Sequence, residues 1–413
     1  MTGFLIICLV TAGFTMVAHR MASTIITAPM IFLTLGLVLS LSGLLSDSNA
    51  HSLLHPVAEI ALVILLFLDA AQIDLVALRK RHVWPSRMLL IGLPISIVLG
   101  CLAGLLLFPA WPLAALALLA AILSPTDAAL GQAVVTNPNV PIRQRRALTV
   151  ESGLNDGLAL PIILFFASVT AAETTSIGQG AWLIFGAKQI ILGTLVGAAI
   201  GATGGWALLR SKAFMTTSEV YEGIGAIALA GAAYLAAVLL GGNGFVSAFV
   251  AGLAFGGVVK GACKFVYEFT ESEGQLLAWA AFLLLGAAMV PEAITHLTWP
   301  VFGFILLSLF VVRPLAVWIS LIGTDATPLT RLFFGWFGPR GLATALFALM
   351  IAEDIPHEFG EPVLHIAINA VWISALLHGL SAAPAARRYG ERTKEDPSVE
   401  DAARDPEAPV SQR

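Results

Sequence analysis

The chain has 413 residues, 58% hydrophobic and only 12% charged, with a net charge of −4. A soluble domain carries about 25% charged residues, and the apolar residues here fall in runs of roughly 18–25, the length that crosses a bilayer core, so a soluble fold and the short alternating strands of a β-barrel are both excluded. Acids and bases are segregated by position, so the net charge points to no nucleic-acid partner.

The sequence predicts an all-α polytopic membrane protein of about thirteen transmembrane helices. In chain order the spans are expected at 2–18, 25–45, 56–78, 86–108, 111–136, 146–171, 181–209, 221–240, 243–261, 275–294, 298–322, 330–352 and 364–384. The first run has no basic flank and no small-residue cleavage pattern, and is expected to remain as a helix. The glycine-rich stretch from Tyr221 to Gly261 reads either as two short spans or as a broken pair. From about residue 386 to 413 the composition turns charged and proline-containing, the signature of a disordered tail.

Charge in the connections sets the orientation. Arg20, Arg79, Lys80, Arg81, Arg87, Arg143, Arg145, Arg146, Arg210, Lys212, Lys260, Lys264, Arg331, Arg387 and Arg388 all fall on one side of this span assignment. The alternate connections carry Asp47, Glu173, Glu292, Glu353, Asp354, Glu358 and Glu361. Cytoplasmic loops hold the excess of Lys and Arg, which places the C-terminus in the cytoplasm and the N-terminus outside an inner (plasma) membrane. Cys8, Cys101 and Cys263 are far apart in apolar surroundings and read as packing residues.

Several ionisable groups remain inside the spans, where each costs roughly 2.5–3.5 kcal/mol even on lenient scales. In the third span, Asp69 is a candidate lining for a cytoplasmic funnel, while Asp74 sits near the inner end and Glu59 near the outer. In the fifth, Ser124-Pro125-Thr126-Asp127 interrupts the helix, because proline lacks an amide donor and clashes with the preceding turn. In the sixth, Glu151-Ser152-Gly153-Leu154-Asn155-Asp156 puts Ser152 and Asp156 on one face at i and i+4, beside Asn155. Those hard oxygens suit a small monovalent cation. Glu151 lies on another face and is the natural partner for Arg313 in the eleventh span. Lys188 is expected to snorkel to the interface, and His378 to pack or hydrogen-bond. Trp336-Phe337-Gly338-Pro339-Arg340-Gly341 interrupts the twelfth span. Two broken spans in corresponding halves mark a transporter ion site, with Asp127 placed to offset positive half-helix ends and Arg340 or Arg313 negative ones. There is no P-loop pattern and no nucleophile–base pair, so neither ATP-driven transport nor an enzyme is expected, and no cofactor beyond the transported ions.

Ser124-Pro125-Thr126-Asp127, Glu151-Ser152-Gly153-Leu154-Asn155-Asp156-Gly157, Val312-Arg313-Pro314 and Gly335-Trp336-Phe337-Gly338-Pro339-Arg340-Gly341 occur in an order that resembles the monovalent cation/proton antiporters, in particular the sodium/proton exchanger branch of NhaP type. The resemblance covers about residues 1–385. It implies inverted repeats, with the two interrupted helices crossing in a core bundle of about six helices, at about 86–171 and 298–384. A dimerisation scaffold would occupy about 1–78 and 181–294, in a homodimer working by an elevator-like cycle. Asp156 matches the ion- and proton-carrying carboxylate, with Thr126 and Ser152 beside it as cation ligands. Asn155 matches the position that separates electroneutral from electrogenic members, Thr126 and Asp127 the unwound motif, and Glu151 with Arg313 the buried ion pair. The chain departs from the family in having Pro125 before Thr126-Asp127 and Ala128 after it, Gly153 where a larger apolar residue is common, and only Asp69 near the acid of the third helix. The function so implied is exchange of protons for monovalent cations, Na⁺ first and K⁺ or Li⁺ next, one for one, in pH homeostasis. The alternatives are an electrogenic antiporter, a proton-coupled organic-anion carrier and a gated channel.

Overall fold

The computed structural model describes residues 2–21, 25–45, 47–73, 83–127, 130–135, 137–174, 179–260 and 264–395. Among them every regular element is a helix, as a bilayer demands, since a helix satisfies its own backbone hydrogen bonds. Among the described residues, seven helices are long and apolar enough to cross a membrane. The chain is a multi-pass membrane protein. In order the helices are α1 Thr2–Met21, α2 Ala28–Leu41, α3 Asp47–Ala71, α4 Val83–Leu107, α5 Leu113–Ile122, α6 Gln132–Val135, α7 Ile142–Thr174 and α8 Gln179–Ala213. There follow α9 Glu219–Leu239, α10 Gly244–Val259, α11 Lys264–Ala288, α12 Val290–Thr295, α13 Trp299–Ser320, α14 Pro328–Trp336, α15 Leu342–Ala352 and α16 His357–Glu395.

The expected boundaries need correction in places. The glycine-rich stretch forms two helices, α9 and α10, parted by a turn in which Gly241 takes φ +77. The Asn243 side chain accepts from the Val246 amide and starts the second helix. The expected span at 275–294 is α11 followed by a separate short helix, with Pro291 in the first turn of α12. The last helix does not stop near 384 but runs to Glu395, so the expected start of the tail at 386 lies within it. Its extension is held because Tyr389 is buried, stacks on Phe333 and bonds to Gln144 and Thr330 through its hydroxyl. Asp74 and residues 396–413 lie outside the described residues.

Two styles of packing are present. In the first, glycines bring backbones into contact, the usual device where lipid supplies no hydrophobic drive between helices. Gly193, Gly197 and Gly201 repeat every four residues along α8 and lie on the carbonyls of Asn243, Ser247 and Ala251. The opposite face of α10 presents Gly252 and Gly256 to the carbonyls of Phe67 and Ala71 in α3. Gly36 of α2 and Gly286 of α11 meet the Leu283 and Leu33 carbonyls in the same way. In the second style, α4, α5, α7 and α13 to α16 pack mainly through side chains. Trp84, Val134, Leu148, Phe334, Phe337 and Tyr389 form a cluster of their own at the end where Arg143, Arg145 and Arg146 lie.

α4 and α13 share an irregularity. Each holds a π-helical turn, Met88–Gly92 and Ser308–Val312, in which the amide of Leu93 reaches the Met88 carbonyl and that of Arg313 reaches Ser308. Each turn stands just before a proline, Pro94 or Pro314. Proline removes one ladder donor and crowds the carbonyl four residues back, and the widened turn absorbs that clash.

Candidate functional site: two interrupted helices and a buried ion pair

α5 ends at Ile122, and the chain runs on without helix through Ser124, Pro125, Thr126 and Asp127. α14 ends at Trp336, and α15 starts only at Leu342. The two breaks meet. The Asp127 amide donates to the Pro339 carbonyl at 2.9 Å. Each break also serves the other's helix end. Arg340 Nη1 donates to the carbonyls of Ser124 and Pro125, at 2.8 and 3.1 Å, just past the C-terminal end of α5. Asp127 Oδ2 accepts from the Leu342 amide at 3.0 Å, in the first turn of α15. Negative charge belongs at a helix N-terminus and positive charge at a C-terminus, so both placements are favourable. Gly341 is required by this approach, because a Cβ there would overlap the Asp127 carboxylate. A Cβ at Gly338 would press on Arg313 Nε and Thr126.

α7 passes beside the first break and supplies the acids. Arg313 forms a two-pronged bond with Glu151, Nη1 to Oε1 at 2.8 Å and Nη2 to Oε2 at 3.1 Å. The pair is almost wholly enclosed, at 5% and 3% side-chain exposure. Arg313 directly follows the second π turn. Ser152 Oγ donates to the Thr126 carbonyl at 2.7 Å. Asn155 Nδ2 donates to Thr126 Oγ1 and, at 3.4 Å, to Glu151 Oε1. Glu151, Ser152, Asn155, Thr126 and Arg313 therefore form one connected set.

Asp156 stands next to this set. Its Oδ1 is buried and accepts no hydrogen bond, and neither does Asn155 Oδ1. Asp127, Asp69 and Glu151 act on its charge from nearby. Asp69 is half-buried, and its backbone faces Gly153 across the α3–α7 contact at ordinary van der Waals range. Among the described residues, no group of three or more His, Cys, Asp or Glu side chains is placed to hold a metal ion. What the geometry offers is uncommitted carboxylate and amide oxygen beside neutral donors, which suits a singly charged cation or a proton.

Two hollows lie along α7. A cleft of about 280 Å³ runs from Val134 and Leu148, near the arginine-rich start of α7, to Asp127 and Glu151. Further along α7 a cavity of about 580 Å³ lies among Leu164, Ser168, Phe185, Gln189 and Asp354.

Residues passed over or played down in the sequence also meet the breaks. Ser374 Oγ accepts from the Arg340 amide at 2.7 Å, and His378 Nε2 contacts the Trp336 carbonyl at 2.9 Å. Ser308, in the second π turn, approaches Arg340 Nη2 at 3.5 Å. Thr344 Oγ1, in the first turn of α15, is a further buried oxygen without a partner. A hydroxyl in an apolar helix carries little signal, because serine and threonine commonly bond to their own helix's carbonyls.

A family model described as "Sodium/hydrogen exchanger, transmembrane" matches residues 4–388. Among curated proteins, the chain is 27% identical over 390 residues to the K(+)/H(+) antiporter NhaP of Alkalimonas amylolytica, covering 92% of this chain and 65% of that protein. It is 28% identical over 393 residues to the K(+)/H(+) antiporter NhaP2 of Shewanella baltica, covering 93% and 66%. It is 25% identical over 292 residues to the Na(+)/H(+) antiporter NhaG of Bacillus atrophaeus, covering 68% and 54%. The chain thus spans about two thirds of the length of the K(+)/H(+) relatives. Among solved structures, the sodium proton antiporter MjNhaP1 from Methanocaldococcus jannaschii at pH 8 superposes with a TM-score of 0.77 at 21% identity, covering 95% of this chain and 98% of that one. That likeness establishes a shared fold.

Proposed function

Because the chain belongs to the sodium/hydrogen exchanger family, we propose that it is a secondary antiporter exchanging protons for a monovalent cation across a plasma membrane. The observation that carries this is Asp156, whose buried Oδ1 is unpartnered beside the equally unpartnered Asn155 Oδ1, next to two interrupted helices. Asp156 takes the cation or the proton in turn. Asn155 and Ser152 of α7 and the break oxygen of Thr126 complete the cation's surroundings, while Asp127 and Arg340 steady the helix ends. The Glu151–Arg313 pair is neutral in sum and holds α7 against α13. Asp69 draws cations toward the site from the cytoplasmic side.

With Asn155 uncharged, one cation exchanges for one proton and no net charge moves. Loading either ion neutralises Asp156, and an empty charged site is held back by the cost of carrying it through low dielectric. That difference couples the two fluxes. Na⁺ and K⁺ stand together as substrates, since the relatives' names include both. Thirteen or so passes, an inverted repeat and an elevator-like motion of a core against a dimeric scaffold complete the reading. The paired π turns before Pro94 and Pro314 support the repeat, and the glycine-zipped group of α2, α3, α8, α10 and α11 supports a rigid scaffold. The arginine-rich connections support an outside N-terminus and a cytoplasmic C-terminus.

The test is proton movement in proteoliposomes holding an internal pH dye, on adding Na⁺ or K⁺ separately, with the potential clamped by valinomycin and then free. A cation-triggered pH change insensitive to the clamp, lost in Asp156→Asn, is the expected result. A response that needs the potential overturns the one-for-one stoichiometry, and no response to any cation overturns antiport.

A further inference from the structure

The break between α14 and α15 leaves backbone groups without helical partners, since a helix end orphans its last carbonyls and the next helix its first amides. Asp127 takes the Leu342 amide. Two others are taken by α16. Ser374 Oγ accepts from the Arg340 amide at 2.7 Å, Ser374 and His378 Nδ1 are 3.0 Å apart, and His378 Nε2 is 2.9 Å from the Trp336 carbonyl. His378 Nδ1 also lies 3.0 Å from the Ser374 carbonyl. The Arg340 N–H donates to Ser374 Oγ, and with the ring proton on Nε2 the Ser374 O–H donates to His378 Nδ1 while Nε2–H donates to Trp336 O; a proton on Nδ1 would donate to the Ser374 carbonyl instead. A charged imidazolium would instead set a third cation near the Arg340 and Arg313 guanidiniums.

The same helix face continues one turn further. The Trp336 indole Nε1 donates to Ser381 Oγ at 3.0 Å, and the indole lies against the His378 ring with centroids 5.0 Å apart. Ser374, His378 and Ser381 stand at i, i+4 and i+7, on one face of α16. All three are given over to Trp336 and Arg340, the residues on either side of Phe337-Gly338-Pro339. Ser374 and His378 are both buried.

We propose that Ser374, His378 and Ser381 are positioning residues, a polar stripe of α16 that fixes the gap between α14 and α15 and thereby sets the direction of the Arg340 guanidinium toward the end of α5. His378 serves as the bridge between Ser374 and Trp336, one ring nitrogen toward each. The backbone part of this inference stands on geometry alone; its transport consequence rests on the antiporter reading.

The experiment compares His378→Leu, His378→Gln and Ser374→Ala in the full chain. Two readouts are taken: amide hydrogen exchange over residues 336–342 in detergent, and cation-triggered proton movement in proteoliposomes across pH. Glutamine can donate to Trp336 O and accept from Ser374, whereas leucine fills space without either bond. A buried hydrogen bond left half-made shifts an equilibrium by about tenfold or more. His378→Leu and Ser374→Ala should therefore speed exchange in this segment by about that factor and slow turnover to a similar extent. His378→Gln should restore both and leave the pH profile unmoved. Ser374→Ala removes a single oxygen and keeps the test available if His378→Leu does not fold. Wild-type exchange and turnover in His378→Leu and Ser374→Ala would overturn the proposal, as would a displaced pH profile in His378→Gln, which would make His378 a titrating group. If the unmodified protein moves no protons on cation addition, the antiporter reading fails, while exchange at 336–342 still decides the stripe.

Discussion

Asp127 and Arg340 serve each other's broken helix: the aspartate accepts from the first turn of α15, and the arginine donates to the Ser124 and Pro125 carbonyls just past the end of α5. Arg340 is among the largest fully buried side chains, and its guanidinium contacts are all to neutral oxygens, the carbonyls of Ser124 and Pro125 and the Ser308 hydroxyl. Removing it strands those acceptors in an apolar interior.

Arg340→Met should lower unfolding stability by about 2–4 kcal/mol. Asp127→Asn keeps an acceptor oxygen and loses only the charge at the α15 end, so its cost should stay near 1 kcal/mol. Thermal unfolding in detergent by tryptophan fluorescence separates the two. Equal losses would contradict the reciprocal capping.

The Glu151–Arg313 pair allows a double-mutant cycle. Glu151→Leu alone leaves a buried guanidinium without its acid and should cost about 3–5 kcal/mol. Adding Arg313→Met should recover most of that, because a matched apolar pair of similar volume commonly stabilises as well as the ions did. A double variant as unstable as the single one would show that the charges do more than hold α7 to α13.

The α8 ladder predicts a sharp positional contrast. Gly197→Ala and Gly201→Ala each push a methyl into a carbonyl of α10, and forcing a methyl into a close contact costs roughly 1–3 kcal/mol. Gly231→Ala in α9 meets nothing within 4 Å and should be neutral or slightly stabilising through helix propensity. Melting temperatures by size-exclusion fluorescence would show the difference.

Asp325 lies in the connection between α13 and α14, outside the spans. Burial pushes its carboxyl up, but hydrogen bonding and charge from Arg143 and the Trp84 indole outweigh that and hold it below the usual 3.8. A folded-state value below the unfolded one adds stability at higher pH, and this is lost as pH falls through the lowered value. Asp325→Asn should therefore melt below the unmodified protein at neutral pH, with a gap that stays constant down to about pH 4 and closes in stronger acid. Salt should shrink the gap, because the side chains are 36% and 54% exposed and such pairs are screened.

Much of this architecture is legible in the sequence, for identifiable reasons. Apolar runs of bilayer length report helices directly, and Pro125 and Gly338-Pro339-Arg340-Gly341 announce the interruptions, because proline and glycine act on the backbone where they stand. Arg313 in the middle of a span calls for an acid, and Glu151 meets it. What stayed hidden depends on a second element. Ser374, His378 and Ser381 look like packing residues until α14 is laid against them. The π turns fall in helices so uniformly apolar that a shifted face is hard to see, and only Pro94 and Pro314 hint at them. Arg387 and Arg388 read as the edge of the membrane, whereas the Tyr389 ring on Phe333 carries the helix past it. Ser152 and Asn155 read in the sequence as expected oxygen sources for a cation. Their hydrogens, however, go to Thr126, a contact fixed only when the first break lies beside α7.

Asp127 and its capped amide are 215 positions apart in the chain. At roughly 5–20 residues per second of synthesis, the first interrupted helix waits on the order of 10–40 s for its counterpart to leave the ribosome. During that interval the α5 end has no arginine and Asp127 has no helix to cap. The N-terminal half therefore enters the bilayer as a folding intermediate whose most polar segment is unfinished, and nascent chains halted before Gly341 should be the preferred prey of membrane quality control.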